Sequence, residues 1–194
     1  IDRAGLVGND GETHHGVFDV AYLQQIPGMT ILAPSNQKEL EQMLKTAIYD
    51  IQGPVAIRYP RGGDGAFHDV AQDPVLRTGE DLTLVTYGTM INTALEAAAL
   101  LAPQGISVEV LKLSQIAPLG LDGVRTSVEK THRILVLEEV MDAGCIADAL
   151  ISKLKLSGLS FCAYKKNLGG QFVQHGYVSA LLQSLGLDSD SISS

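Results

Sequence analysis

The sequence predicts an α/β protein with a mainly parallel sheet, on the basis of three observations. Apolar runs too short for helices recur along the chain, and stretches with helical periodicity separate them. Strands that alternate with helices form parallel sheets whose two faces are both covered. The composition is that of an ordinary globular protein, since 45% of the 194 residues are hydrophobic and 19% are charged.

The beginning of the chain predicts the later part of one α/β unit. A short strand is expected at residues 30–33, and Ser35 or Asn36 can cap the helix that follows. Apolar residues of that helix recur at intervals of three and four: Leu40, Met43, Leu44, Ala47 and Ile48. Gly53-Pro54 ends the helix, and a buried strand is expected at residues 55–57.

Residues 62–79 predict a linker, because the segment holds four glycines and few large apolar side chains. The periodicity resumes after it, so residues 80–194 predict a second α/β unit. Its strands are expected at residues 82–87, 106–111, 134–137 and 159–164. Its helices are expected at residues 91–101, 120–131, 142–154 and 177–185.

Charge and cysteine content exclude several classes of protein. Lys and Arg number 14 and Asp and Glu 22, so the net charge of −8 argues against a nucleic-acid-binding surface. Cys145 and Cys162 lack the spacing of a metal site or a disulfide framework, which indicates a reducing compartment. We expect neither a membrane helix nor a signal peptide. The chain begins at Ile1 in what looks like the middle of a folded unit, so we expect part of a longer protein.

Functional groups are concentrated in residues 1–16, which hold four glycines, an arginine, three acids and two histidines. Such loops commonly line a site, although a solvated turn can have the same composition. Because His14 and His15 are adjacent, only one of them can face a given site in an extended segment. Asp10, Glu12 and His14 share one parity and could converge. Metal-ligand spacing is missing, so a histidine beside a carboxylate favours proton transfer or hydrogen bonding over a metal cluster.

A second candidate is Arg58-Tyr59-Pro60-Arg61-Gly62, at the end of a predicted buried strand, where ligands bind in open α/β sheets. Arginine suits bidentate recognition of phosphate or carboxylate, and the alternative is a pair of surface arginines in ion pairs. Gly88-Thr89 precedes a helix and could bind an anion, but a plain turn explains it better. Glu138-Glu139 ends a strand and is equally consistent with an exposed edge and with a site.

Together these motifs resemble the 1-deoxy-D-xylulose-5-phosphate synthase family. The resemblance begins with Asp2-Arg3-Ala4-Gly5 and Gly8-x-Asp10-Gly11-x-Thr13-His14-x-Gly16-x-Phe18-Asp19. It continues through Ala33-Pro34-Ser35 to Arg58-Tyr59-Pro60-Arg61-Gly62. It is patchier beyond that point, at Tyr87-Gly88-Thr89, Glu138-Glu139 and His175-Gly176.

The resemblance implies a cytoplasmic homodimeric transferase of the transketolase type that uses thiamine diphosphate and Mg²⁺. The implied reaction condenses pyruvate with glyceraldehyde 3-phosphate, with loss of carbon dioxide, for isoprenoid, thiamine and pyridoxal synthesis. Residues 1–61 would be the C-terminal part of the pyrimidine-binding domain, residues 62–79 a linker, and residues 80–194 the transketolase C-terminal domain. The cofactor and Mg²⁺ would be bound mainly by an N-terminal region outside this chain, so we expect the chain alone to be inactive.

By motif match, the resemblance also assigns four site residues. Arg3 and Arg61 would hold the phosphate of the sugar substrate, and Asp10 would hydrogen-bond a substrate hydroxyl or a cofactor-bound intermediate. His14 would assist proton transfer at the reacting centre or hold the donor carboxylate. The chain departs from the family at residues 140–146, where most of a glycine-rich turn is missing, so the resemblance does not predict the local geometry there.

Two other functions fit parts of the pattern. The β subunit of a 2-oxoacid dehydrogenase shares the two-domain plan, but the Asp-x-Gly-x-Thr-His-x-Gly spacing and Tyr-Pro-Arg-Gly favour the synthase. A non-catalytic interaction module with a glycine-rich loop would contact neither a sugar phosphate nor thiamine.

Overall fold

The computed structural model describes residues 1–70 and 73–194, which form two sheets with helices packed around them. The strands are β1 Thr30–Leu32, β2 Val55–Ile57, β3 Val75–Arg77, β4 Leu82–Tyr87, β5 Val108–Leu113, β6 Gln115–Ala117, β7 Arg133–Leu137 and β8 Cys162–Lys166. The helices are α1 Asp19–Leu23, α2 Gln37–Tyr49, α3 Met90–Leu101, α4 Asp122–Thr131, α5 Ile146–Leu156, α6 Val178–Ser184 and α7 Ser189–Ile192. Two short 3₁₀ turns are Gly8–Asp10 and Ala102–Gln104.

The smaller sheet has the order β2-β1-β6 and combines strands from both halves of the chain. β1 and β2 are parallel, whereas β6 lies antiparallel to β1. Asn36 begins α2 as predicted, because its side-chain oxygen accepts a hydrogen bond from the Glu39 backbone N–H at 3.0 Å. The two halves are therefore joined by a shared sheet as well as by the connecting segment.

The larger sheet has the order β3-β5-β4-β7-β8. The strands β5, β4, β7 and β8 are parallel to one another, and β3 runs antiparallel at one edge. Leu84 packs on the face covered by α3, and its neighbour Val85 packs on the face covered by α4 and α5. Burial on both faces explains the continuous apolar runs of the sequence and confirms the predicted, mainly parallel α/β fold.

Short elements account for most of the differences from the predicted elements, since the strands β3 and β6 and the helices α1 and α7 were not expected. β3 lies inside the segment predicted as a linker, and its antiparallel pairing with β5 shows that the end of this segment is ordered in the sheet. β6 was not expected either, because a three-residue strand carries too little periodicity to detect. α5 begins at Ile146, four residues later than predicted, after a tight turn at Gly144 with a φ of 76°. Within the described residues, none of the helices is both long and apolar enough to cross a bilayer.

Candidate functional site

The loop at the start of the chain is fixed beside the end of β2. The Tyr59 N–H donates to the Ile1 carbonyl, and the Ala4 N–H donates to the Tyr59 carbonyl, each at 3.0 Å. Gly5 and Gly16 then exchange two backbone hydrogen bonds of 2.9 Å, so the loop closes on itself. This ladder places the loop of residues 1–16 next to the Arg58-Tyr59-Pro60-Arg61-Gly62 motif at the carboxyl end of β2.

Arg3, Asp10 and Arg61 form one ion cluster, which we call the arginine cluster. Arg3 Nη1 lies 2.6 Å from Asp10 Oδ2, and Arg61 Nη1 contacts the same oxygen. The side chains of Arg3 and Arg61 remain 37% and 56% exposed, so part of each guanidinium faces solvent. Two guanidiniums on one carboxylate leave one net positive charge and several free N–H donors, which suits an anion such as a phosphate group.

The two adjacent histidines lie in opposite environments. His14 is exposed, with its Nδ1 2.8 Å from Thr13 Oγ1. His15 is 8% exposed, and its Nδ1 accepts a hydrogen bond from the Val7 N–H at 3.0 Å. Because Nδ1 is an acceptor, the proton of a neutral His15 ring lies on Nε2, which is 3.3 Å from the Gln174 carbonyl. His15 is therefore structural, and His14 is the histidine that a ligand can reach.

The parity argument for Asp10, Glu12 and His14 was wrong, because the segment is not extended. Gly8–Asp10 is a 3₁₀ turn, and the His14 N–H closes a further turn onto the Gly11 carbonyl at 3.0 Å. Asp10 binds the two arginines, whereas Glu12 and His14 are exposed to solvent. In the described part of the chain, no group of three or more His, Cys, Asp or Glu residues could hold a metal ion.

An open cleft of about 220 Å³ adjoins the arginine cluster. Asp10 and Arg61 line one side, and Tyr177 and Val178 from the second unit line the other. A larger cavity of about 690 Å³ lies at the opposite end of the sheet, where residues such as Leu82 and Arg133 begin their strands. We assign the site to the smaller cleft, because Asp10 and Arg61 of the arginine cluster line it and Arg61 follows the carboxyl end of β2.

Arg58 and Arg61 have different roles although they stand three residues apart. Arg58 is 4% exposed, and its guanidinium donates to both carboxylate oxygens of Asp19, at 2.8 and 3.3 Å. It also donates to the Gly16 carbonyl at 3.2 Å and lies 5.6 Å from the centre of the Tyr87 ring. Arg58 is thus a buried structural residue, and only Arg61 is available to a ligand.

Glu138 and Glu139 are not an exposed edge. Glu138 is completely buried, and its carboxylate accepts hydrogen bonds from the Tyr87 hydroxyl at 2.7 Å and from the N–H groups of Ile146 and Ala147 at 3.0 and 2.8 Å. It therefore anchors the start of α5, although residues 140–146 depart from the family pattern. Glu139 accepts a hydrogen bond from the Leu6 N–H at 2.8 Å, and burial raises its pKa to about 7.

The model of the transketolase C-terminal domain matches residues 72–192, which is more than half of the chain. The chain belongs to the transketolase family. The model of the transketolase pyrimidine-binding domain matches residues 1–63 of this family member.

Individual relatives of this transketolase-family chain are 1-deoxy-D-xylulose-5-phosphate synthases. The one from Heliobacterium modesticaldum is 38% identical over 99% of this chain and 31% of its own length. The one from Chlorobium phaeovibrioides is 43% identical over 99% of this chain and 32% of its own length. The chain thus spans about a third of the length of these relatives.

A solved structure supports the same fold. It is described as the inactive β4 tetramer of a split-gene transketolase, and it is 25% identical to this chain with a TM-score of 0.80. The likeness covers 94% of this chain and 60% of that one. These comparisons confirm two predictions from the sequence, the resemblance to part of a 1-deoxy-D-xylulose-5-phosphate synthase and the transketolase-type fold.

Proposed function

We propose that this chain forms the sugar-phosphate side of the active site of a 1-deoxy-D-xylulose-5-phosphate synthase. The observation that carries the proposal is the arginine cluster, in a chain similar over its whole length to such synthases. The proposed reaction condenses pyruvate with glyceraldehyde 3-phosphate and releases carbon dioxide. Its product would serve isoprenoid, thiamine and pyridoxal synthesis.

Each site residue has a proposed role in binding or orientation. Arg3 and Arg61 bind the phosphate of glyceraldehyde 3-phosphate through their free N–H donors. Asp10 holds the two guanidiniums side by side, which reduces their mutual repulsion and presents them together, and it can hydrogen-bond a substrate hydroxyl. His14 lies exposed on the same loop and assists proton transfer near the reacting centre or holds the donor carboxylate.

Thiamine diphosphate and Mg²⁺ are the cofactors of the proposed enzyme. When bound, thiamine diphosphate would supply a nucleophilic ylid and, through its thiazolium ring, an electron sink for a carbanion. By the resemblance to the synthases, of which this chain spans about a third, the ligands of Mg²⁺ are proposed to lie in the part that this chain does not span. On this proposal the isolated chain is inactive, and the split-gene transketolase β4 tetramer, which has the same fold, is likewise described as inactive. Homodimer formation and a cytoplasmic location, implied by the family, are part of the same proposal.

The phosphate assignment is tested on this chain by titrating glyceraldehyde 3-phosphate, with glyceraldehyde as the unphosphorylated control. Arg61→Ala should weaken binding of the phosphate ester about tenfold, near the low end for a charge-assisted contact because Arg61 is 56% exposed. Arg125→Ala is the matched control, since Arg125 is also an exposed arginine in an ion pair with a carboxylate. If Arg61→Ala and Arg125→Ala change the affinity for glyceraldehyde 3-phosphate equally, Arg61 is a structural ion-pair residue like Arg125 and not a phosphate ligand.

The cofactor assignment is tested by calorimetric titration of thiamine diphosphate and Mg²⁺ into the isolated chain. We expect no binding at micromolar concentration, because the ligands of the diphosphate and the metal are proposed to lie elsewhere. Micromolar binding would mean that this chain carries a complete cofactor site and would overturn the proposed division of the enzyme.

A further inference from the structure

The loop that carries Arg3 is attached to the second unit by the Glu139 side chain and also by the Gly176 N–H, which donates to the Gly8 carbonyl at 3.4 Å. The Ala4 and Gly5 N–H groups donate to backbone carbonyls of the first unit. The next N–H, that of Leu6, donates instead to Glu139 Oε1 at 2.8 Å, across a sequence separation of 133 residues. Glu139 lies two residues beyond the end of β7, so this bond links the loop to the larger sheet.

Gly5 lets the Glu139 carboxylate approach the loop. Its φ is 78°, a conformation that favours glycine. A Cβ on Gly5 would overlap the Glu139 carboxylate, at a distance shorter than real Cβ atoms approach other atoms. The carboxylate therefore packs directly against the backbone that follows Arg3, and this close contact adds to the positive φ in favouring glycine at position 5.

Burial disfavours the charged form of Glu139, and a nearby cation offsets this effect only in part. Arg58, Tyr87 and Thr89 line the small cavity that it faces, and Arg58 is the cation among them. Arg58 is itself paired with Asp19, so it compensates the Glu139 carboxylate only in part, and burial still raises the Glu139 pKa. Burying a carboxylate costs folding free energy. The hydrogen bond that Glu139 makes at this position is to the Leu6 N–H, in the loop between Arg3 and Asp10.

We propose that Glu139 is a positioning residue for the arginine cluster, because it fixes the Arg3–Asp10 loop on the second unit and so sets how Arg3 and Arg61 face the phosphate. This inference rests on the proposed phosphate site. On this inference, a residue of the second unit affects substrate affinity through its hydrogen bond with the Leu6 N–H, without contacting the ligand.

Two substitutions separate positioning from charge. Glu139→Gln removes the charge but keeps an oxygen that can accept from the Leu6 N–H, whereas Glu139→Ala removes both. Loss of a negative charge alone should strengthen the binding of an anion. A positioning role predicts that Glu139→Ala, and not Glu139→Gln, weakens the binding of the anion. Glu12→Ala is the matched control, because Glu12 is an exposed carboxylate on the same loop.

The experiment measures glyceraldehyde 3-phosphate affinity and amide hydrogen exchange of residues 3–10 for these variants of the full chain. We expect Glu139→Ala to speed exchange at Leu6 at least tenfold and to weaken affinity about threefold to tenfold. Glu139→Gln and Glu12→Ala should keep affinity at or above that of the wild type. The proposal is overturned if Leu6 exchange is unchanged in Glu139→Ala, or if affinity is retained while Arg61→Ala still weakens it. If Arg61→Ala has no effect either, the phosphate assignment itself has failed.

Discussion

Lys112 on β5 and Glu39 on α2 form an ion pair of 2.9 Å that joins the two units, with side chains 0% and 3% exposed. Lys112 also donates to Ser114 Oγ at 2.8 Å, and Glu39 also accepts from the Ser35 N–H at 2.8 Å. Burial lowers the pKa of Lys112, and the Glu39 carboxylate opposes this shift. Both charges therefore lie inside the protein, and each helps to compensate the other.

Lys112→Met should destabilise the chain strongly, because it leaves the Glu39 carboxylate buried without its cation. Breaking a buried pair from one side costs about 3–5 kcal/mol. We expect this loss in the free energy of unfolding, measured by urea denaturation.

A double variant and an exposed pair are the controls. Lys112→Met with Glu39→Gln should recover part of the lost stability, since no unpaired charge remains. Lys45→Met removes a lysine from the exposed pair with Glu41 and should leave the urea midpoint almost unchanged. A loss in the double variant equal to that in Lys112→Met would show that packing, and not the buried charge, causes the effect.

Asn36 joins α2 to the segment that follows Arg61. Its Oδ1 caps the helix, and its Nδ2 donates to the carbonyls of Phe67 and Asp69 at 3.3 and 2.9 Å. Asn36→Ala should lose both functions, with about 1–2 kcal/mol of stability for the cap. Asn36→Asp should keep the cap but lose the two donated bonds, so we expect faster hydrogen exchange at residues 65–70 with α2 still protected. Similar exchange in the wild type and in Asn36→Asp would contradict the role of Nδ2.

The raised pKa of Glu139 predicts a pH dependence of stability. The usual value is 4.5 and the folded value about 7, so the folded state holds this proton more tightly. The resulting stabilisation is complete below pH 4.5 and is lost as the pH rises through 7. Between pH 5 and pH 8 the wild type should therefore lose about 2–3 kcal/mol relative to Glu139→Gln, measured by urea unfolding at each pH. Parallel curves for the two proteins would show that Glu139 titrates normally.

The long buried strands and the amphipathic helices could be predicted from the sequence, because their periodicity extends over many residues. β4 was predicted with its observed bounds, and Asn36 was one of the two predicted caps of α2. β3 and β6 could not be predicted, since their pairing depends on distant partners and not on their own three residues.

The charged motifs indicated which residues form the candidate site but not every partner of these residues. Arg3, Asp10 and Arg61 meet there, and their roles toward a ligand remain predictions. The burial of Arg58 and the contact of Glu139 with Leu6 depend on residues far apart in the chain, so spacing alone could not separate structural from exposed groups. Gly5 in the Asp-Arg-Ala-Gly motif was the signal that some group approaches the loop closely.

The adjacent histidines form a pair in which one substitution should affect stability and the other activity. His15→Ala removes the acceptor of the buried Val7 N–H, which should cost about 1–3 kcal/mol in the free energy of unfolding. His14 is exposed and its ring is hydrogen-bonded to its neighbour Thr13, so His14→Ala should leave the unfolding midpoint of the chain unchanged.

In the complete synthase, His14→Ala should lower turnover with glyceraldehyde 3-phosphate and with glyceraldehyde alike, because proton transfer does not depend on the phosphate. Arg61→Ala should instead raise the KM for the phosphorylated acceptor and leave that for pyruvate nearly unchanged. If His14→Ala impairs only the phosphorylated acceptor, His14 belongs to the phosphate site and the proton-transfer assignment is wrong.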